Sequence, residues 1–198
     1  AGRLAAYRAA LDIARALDMP ARQALLLCAV GKVLSAQGDA HAAEAHFEQA
    51  HQIARDRDDA FLLGFVLEHQ GYHAQSTGDF AAARDYFAQE VELARTIDDA
   101  ETQFYALLNY GSAEHDLQQY ASALEHHQQA LALAHELANP ILTALALQSM
   151  GEDHARLGHP DEAQPCLQEA LNIFRESGMQ AKVREVENYL NALDGSGQ

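Results

Sequence analysis

The sequence predicts an all-α protein of stacked antiparallel helical hairpins, and three observations carry that prediction. Residues recur at a fixed spacing of forty, each forty-residue unit holds two apolar stripes of helical period, and a Gly-Asp breaker parts the stripes. Such a period is the mark of a repeat architecture. Five columns show it: Gly31, Gly71, Gly111 and Gly151; Leu27, Leu67, Leu107 and Leu147; Ala43, Ala83, Ala123 and Ala163; Ile53, Leu93, Leu133 and Ile173; and Asp59, Asp99 and Asn139 at the junctions.

The elements follow in order. A leading helix of the second type is predicted within 1–19, about Arg3 to Asp18, because Tyr7, Ala10, Ile13 and Ala14 match Phe47, Ala50, Ile53 and Ala54. Complete units then cover 20–59, 60–99, 100–139 and 140–179. In the first of them Leu27, Val30, Gly31 and Leu34 form one stripe, and Ala43, Phe47, Ala50 and Ala54 form the other, at steps of three and four that share a helix face. Gly38-Asp39 and Gly78-Asp79 separate the stripes, with Gly suited to the left-handed residue that ends a helix and Asp to the cap of the next. Pro20, and Pro140 after Asn139, stand at first helical positions. A closing helix of the first type is predicted within 180–194, about Ala181 to Leu193, since Val183, Val186 and Leu190 match Thr143, Ala146 and Met150. The tail 195–198 is expected to be mobile. Pro165 predicts a kink or a late start in the last second-type helix, because a proline inside a helix removes a backbone bond. Small residues in the stripes let backbones approach while Phe47 and Phe87 fill the adjacent space. A lone hairpin cannot bury both faces, so stacking yields a curved solenoid with a concave side.

Charge narrows the partners. Thirteen basic residues against twenty-nine acidic ones leave a formal charge of −16, which repels phosphate backbones and anionic membrane surfaces, so neither nucleic acid nor membrane is an expected partner. Cys28 and Cys166 fit no zinc spacing or disulfide framework, and with no spanning run or signal core the expected location is the cytoplasm. The start without Met and the end in Gly195-Ser196-Gly197-Gln198 read as an excision from a longer protein.

The pattern of Leu27, Gly31, Gly38-Asp39, Ala43, Phe47 and Ala50, repeated from about Leu4 to Leu193, resembles the tetratricopeptide repeat. The forty-residue period is similar to that of the Pins/LGN proteins and the kinesin light chains, most of all in Glu92-Leu93-Ala94-Arg95-Thr96-Ile97-Asp98 and Leu107-Leu108-Asn109-Tyr110-Gly111. The resemblance implies a right-handed superhelix whose first helices line a concave groove that holds a peptide or partner domain. It places Lys32, Glu68, Tyr72, Tyr105, Leu108, Asn109, Ser112, His115, Gln148, Glu152 and Arg156 in that groove, along with Cys28. Asn109 is the leading candidate, because an amide can both donate to and accept from a peptide backbone. Chaperone-binding members clamp a carboxyl terminus with Lys, Asn and Arg. Here Lys32 and Asn109 match, but Cys28, His69 and Tyr105 stand where further clamp groups would be, so a mixed or basic peptide is expected. The sequence also departs from the pattern at Glu90, at His127, and at Glu114 and His154, which predicts looser or more polar packing in the middle units.

Catalytic chemistry is not visible. No phosphate-binding Gly-rich loop, nucleophile elbow or Cys-His pair is present, and Asp56, Asp58, Asp59, Asp98 and Asp99 are explained as helix-end residues. His69 and His73, four apart, could approach a metal, but a third ligand is not evident, and the adjacent His126 and His127 do not face each other on a helix. The expected function is therefore a non-enzymatic, cofactor-free interaction module, the regulatory or scaffolding part of a larger bacterial-type signalling protein. A histidine-dependent metal sensor or cryptic enzyme is one alternative, and self-association through the solenoid ends is another.

Overall fold

The computed structural model describes residues 2–195, and among them the backbone forms ten α-helices: α1 (Gly2–Ala16), α2 (Pro20–Ala36), α3 (Ala40–Asp56), α4 (Ala60–Thr77), α5 (Phe80–Ile97), α6 (Ala100–Asp116), α7 (Tyr120–Glu136), α8 (Pro140–Arg156), α9 (Pro160–Glu176) and α10 (Gln180–Gly195). Gly195 thus ends α10, and the rest of the tail, 196–198, lies outside the described residues. The chain divides into two compact units, one ending at Asp98 and the other starting at Asp99. In the first, α2 pairs with α3 and α4 with α5, while α1 packs on α2 and α3 on α4. In the second, α6 pairs with α7 and α8 with α9, while α7 packs on α8 and α10 covers α9.

The helix ends are written in the sequence. Asp39, Asp59 and Asp79 each accept a hydrogen bond from the backbone N–H three residues on. Asp99 accepts from the backbone N–H groups of Glu101 and Thr102 and from the Thr102 hydroxyl at 2.6 Å, and that hydroxyl bond is the first cause of its lowered carboxyl pKa. Asn139 caps α8 in the same way, with Pro140 in the first turn. Gly38 and Gly78 hold φ of 83° and 82°, the left-handed state that glycine enters without Cβ strain. Pro165 is the exception to expectation. α9 starts at Pro160 and runs through it, so the late start does not occur. Pro165 is exposed, which leaves water free to satisfy the carbonyl one turn earlier.

The glycine column places the hairpins. A Cβ on Gly31 would stand 2.8 Å from the Phe47 ring, one on Gly151 2.6 Å from Leu167, and one on Gly71 would collide with Phe87. In α3, α5 and α9 a large side chain thus packs directly against the backbone of the hairpin partner. In the third hairpin that side chain is His127, which would lie 2.5 Å from a Cβ on Gly111 and is only 1% exposed. Around this contact the core of the first unit gathers Leu27, Val30, Phe47 and Val66, and that of the second gathers Leu147, Leu167, Phe174 and Val186.

Candidate protein-interaction surface

Each first-type helix turns one stripe to solvent. On α2 the stripe carries Leu25, at 44% exposure, and Lys32; on α4 it carries Phe61, at 66%, then Phe65, Glu68 and Tyr72. Leu25, Lys32, Phe65 and His69 line one groove with a cavity volume of about 620 Å³, bounded on its far side by α1. Tyr72 packs edge-on against Phe87 and also bonds the Glu68 carboxylate. Burial raises the Glu68 pKa, against the opposing pull of Lys32 and that hydrogen bond.

The second unit gathers several of the expected residues. The His115 imidazole donates from Nδ1 to Oδ1 of Asp153 at 2.6 Å, and Gln148 donates to Glu152 and to Glu185, each at 2.8 Å. Arg156 lies 5.9 Å from the centre of the Tyr120 ring, within cation–π range. Burial raises the Glu152 pKa, with Gln148 and His115 pulling the other way. Ser112 spends its hydroxyl on the Leu108 carbonyl. Tyr105 is exposed and meets Phe104 edge-on. Asn109, by contrast, is only 8% exposed, in the same column as the buried His69, so it offers a ligand little surface. Gln148 is buried too, at 5%.

Leu25, Phe61, Phe65 and Ile141 were not singled out from sequence. The signal was present, since Leu25, Phe65, Tyr105 and Leu145 form another forty-residue column, apolar or aromatic throughout. Clusters of exposed apolar side chains mark interaction surfaces, whereas scattered ones do not.

Of the polar departures His127 and Glu114 are partnered, whereas Glu90 Oε2 and His154 Nδ1 are buried without a hydrogen-bond partner among the described residues. Asp153, fully buried, accepts from His115 on one oxygen and from His127 Nδ1 on the other at 2.6 Å, while His127 Nε2 points at the Leu108 carbonyl at 3.3 Å. Both oxygens of the Asp153 carboxylate thus have an imidazole partner. Glu114, 4% exposed, accepts from Ser122 and from His126. The neighbouring His126 and His127 thus serve different carboxylates. His73 bonds Ser35, and His69 lies under the Phe65 ring. Among the described residues no three His, Cys, Asp or Glu side chains are grouped to hold a metal ion. No helix among them is long and apolar enough to cross a membrane. Burial pushes the Cys28 thiol up to about 12.

Two buried groups give the first unit a pH dependence. Burial, and then the Glu68 carboxylate, push Glu90 up to about 8 from 4.5, so the folded unit holds this proton more tightly than the unfolded chain does. Its contribution is complete below pH 4.5 and is lost as pH climbs toward 8. Burial, and then Lys32, pull His69 down to about 4 from 6.5, so its contribution is complete above 6.5 and is lost as pH falls toward 4. From 4.5 to 6.5 the two oppose each other; above 6.5 Glu90 acts alone. Urea melts should show stability falling from pH 6.5 to 8 by up to about 1.4 kcal/mol per unit, with Glu90→Gln abolishing the fall. A wild-type stability that is flat over this range would contradict the assignment.

The hairpin order, the glycine seats and the exposed stripes define a class, the helical-repeat proteins that present a surface to other polypeptides. Within that class the tetratricopeptide repeat model matches residues 102–176 of this chain, and no catalytic family is found. Solved structures agree on the fold. A signal-transduction ATPase with numerous domains from Pyrococcus horikoshii, which carries a tetratricopeptide repeat sensor, matches with a TM-score of 0.81 at 15% identity over 88% of this chain and 27% of its own. A kinesin light chain protein of Podospora anserina matches at 0.67 and 14%, over 90% of this chain and 98% of its own. A Rap protein in complex with competence and sporulation factor matches at 0.69 and 15%, over 98% of this chain and 58% of its own. The chain therefore spans about a quarter of the sensor ATPase and just over half of the Rap protein. No curated protein matches it in sequence.

Proposed function

We propose that this interaction module captures a peptide or partner segment on the open stripes of its first-type helices, as the regulatory or scaffolding part of a larger signalling protein. The observation that carries the reading is the groove of the first unit, where Leu25 and Phe65 stand exposed on adjacent helices beside Lys32. Large apolar side chains held open by rigid helices are the usual anchors of binding energy. Two structural neighbours support it: one is a signal-transduction ATPase with a tetratricopeptide repeat sensor, and the other was solved in complex with competence and sporulation factor. In the second unit Lys182 already pairs with Glu185 at 2.9 Å near the half-buried Glu152, so the preference for a basic peptide rests on the net charge of −16.

The test is partner capture by wild type and by the double variant Tyr72→Ala, Tyr105→Ala. Tyr105 is substituted rather than Asn109 because Tyr105 is exposed and Asn109 is buried. The expected result is capture weakened by about 1 kcal/mol or more with helicity retained. Full-strength capture by the folded variant would move the binding surface elsewhere.

A further inference from the structure

A cavity of about 260 Å³ lies in the first unit where α3, α4 and α5 meet, and it shares no residue with the groove that carries the proposed function. Glu44 lines it from α3, Gln70 from α4, and Asp79 and Tyr86 from the start of α5. No lysine or arginine stands in its walls. The ion pairs that lysines and arginines make among the described residues go to other carboxylates, on Asp12, Asp85, Glu92, Glu187 and Glu185. Asp79 spends Oδ1 on the cap of α5 and keeps Oδ2.

Hairpin stacking does not call for these groups. Eighty residues on, where α7, α8 and α9 repeat α3, α4 and α5, the same positions hold Leu124, Met150, His159 and Cys166. Two further observations set the cavity apart. Gln70 is only 6% exposed and bonds His51 Nδ1 at 2.8 Å through one end of its amide, while the other end has no partner among the described residues. A buried polar group left in that state marks a place where something else completes the bond. Burial, and then Glu44, Glu48 and Asp79, raise the Tyr86 pKa, so three carboxylates act on that phenol.

We infer that this cavity binds one guanidinium group, with Glu44 and Asp79 taking its charge, the open end of the Gln70 amide accepting from it, and the Tyr86 ring covering its plane. The carboxylates come from different helices, and no three His, Cys, Asp or Glu side chains among the described residues close on a point that a metal ion could occupy. A broader cation is needed to span them. Guanidinium is planar, carries five donors in a fixed fork and stacks on aromatic faces, whereas an ammonium is a compact, strongly hydrated point charge. Guanidinium only donates, so Gln70 turns its oxygen toward the cavity and its nitrogen donates to His51 Nδ1. The volume lies below the roughly 300–1,000 Å³ of pockets for drug-sized ligands, which suits a single side chain or a small alkylguanidine. The site stands apart from the Tyr72 and Tyr105 stripes of the proposed function.

The test is a titration of the full chain, followed in nitrogen–proton and aromatic NMR spectra, with propylguanidine and with the capped peptide acetyl-Gly-Arg-Gly-amide. The Gln70 side-chain amide and the Tyr86 ring should shift saturably, with a Kd on the order of 1 mM. The peptide with citrulline for arginine, which keeps the shape and loses the charge, should give no saturable shift. The double variant Glu44→Gln, Asp79→Asn should weaken arginine binding at least roughly ten-fold. Both positions are exposed and asparagine still caps a helix, so this variant keeps its fold. Tyr72→Ala, Tyr105→Ala should leave the affinity unchanged, which separates a failure of this site from a failure of the proposed function. Tighter binding of the peptide than of propylguanidine assigns the site to an arginine of a partner segment, and the reverse assigns it to a free guanidine. Shifts that do not saturate, equal binding of the citrulline or the lysine peptide, or indifference to the double carboxylate variant overturns the inference.

Discussion

Gly111→Leu is expected to destabilise the second unit by about 3 kcal/mol or more, beyond the usual range for an overpacked core site. The first added carbon alone would come within 2.5 Å of His127 Nε2, and leucine brings three more. His127 cannot retreat without leaving Asp153, which is fully buried and has its other oxygen on His115. Overpacking and the loss of a buried charged hydrogen bond therefore act together. Thermal melts followed by circular dichroism check this, with Gly111→Ala as an intermediate step. An unchanged melting temperature in the leucine variant would mean that the glycine column does not mark the hairpin contacts.

That column shows which parts of the fold were legible in the sequence. A glycine held at forty-residue spacing reports a backbone contact, and the residue sixteen positions later reports what fills it: Phe47, Phe87, His127 and Leu167. Helix ends were equally plain, because Asp39, Asp79, Asp99 and Asn139 cap within their own turn. The late start expected from Pro165 does not occur, since the cost of an interior proline depends on whether the orphaned carbonyl meets water, and spacing does not reveal that. The candidate surface was less legible. Asn109 and Leu108 differ by one residue, about 100° of helix, and that rotation separates a buried position from a half-buried one. Periodicity gives the stripe but not its exact edge. The partner of His127 was hidden for another reason. Asp153 is twenty-six residues away on α8, and a pattern within one helix says nothing about what the next hairpin brings against it.

The same network supports the last expectation. Asp153→Ala should cost about 3 kcal/mol or more, because it leaves the buried His127 ring without its acceptor, and breaking a buried pair from one side costs far more than the pair contributes. The comparison that separates this cause from simple cavity formation is the double variant Asp153→Ala, His127→Phe. Phenylalanine is what α3 and α5 lay on their glycines, at Phe47 and Phe87, so it should sit on Gly111 and need no acceptor. Much of the lost stability should then return, and the coupling between the two changes should exceed about 1 kcal/mol in a double-mutant cycle. His127→Phe alone should cost less than Asp153→Ala, since Asp153 keeps His115, which is partly exposed and can bring water to the free oxygen. Additive effects in urea melts would show that the carboxylate and the ring act separately, and that α7 and α8 are held by their apolar contacts alone.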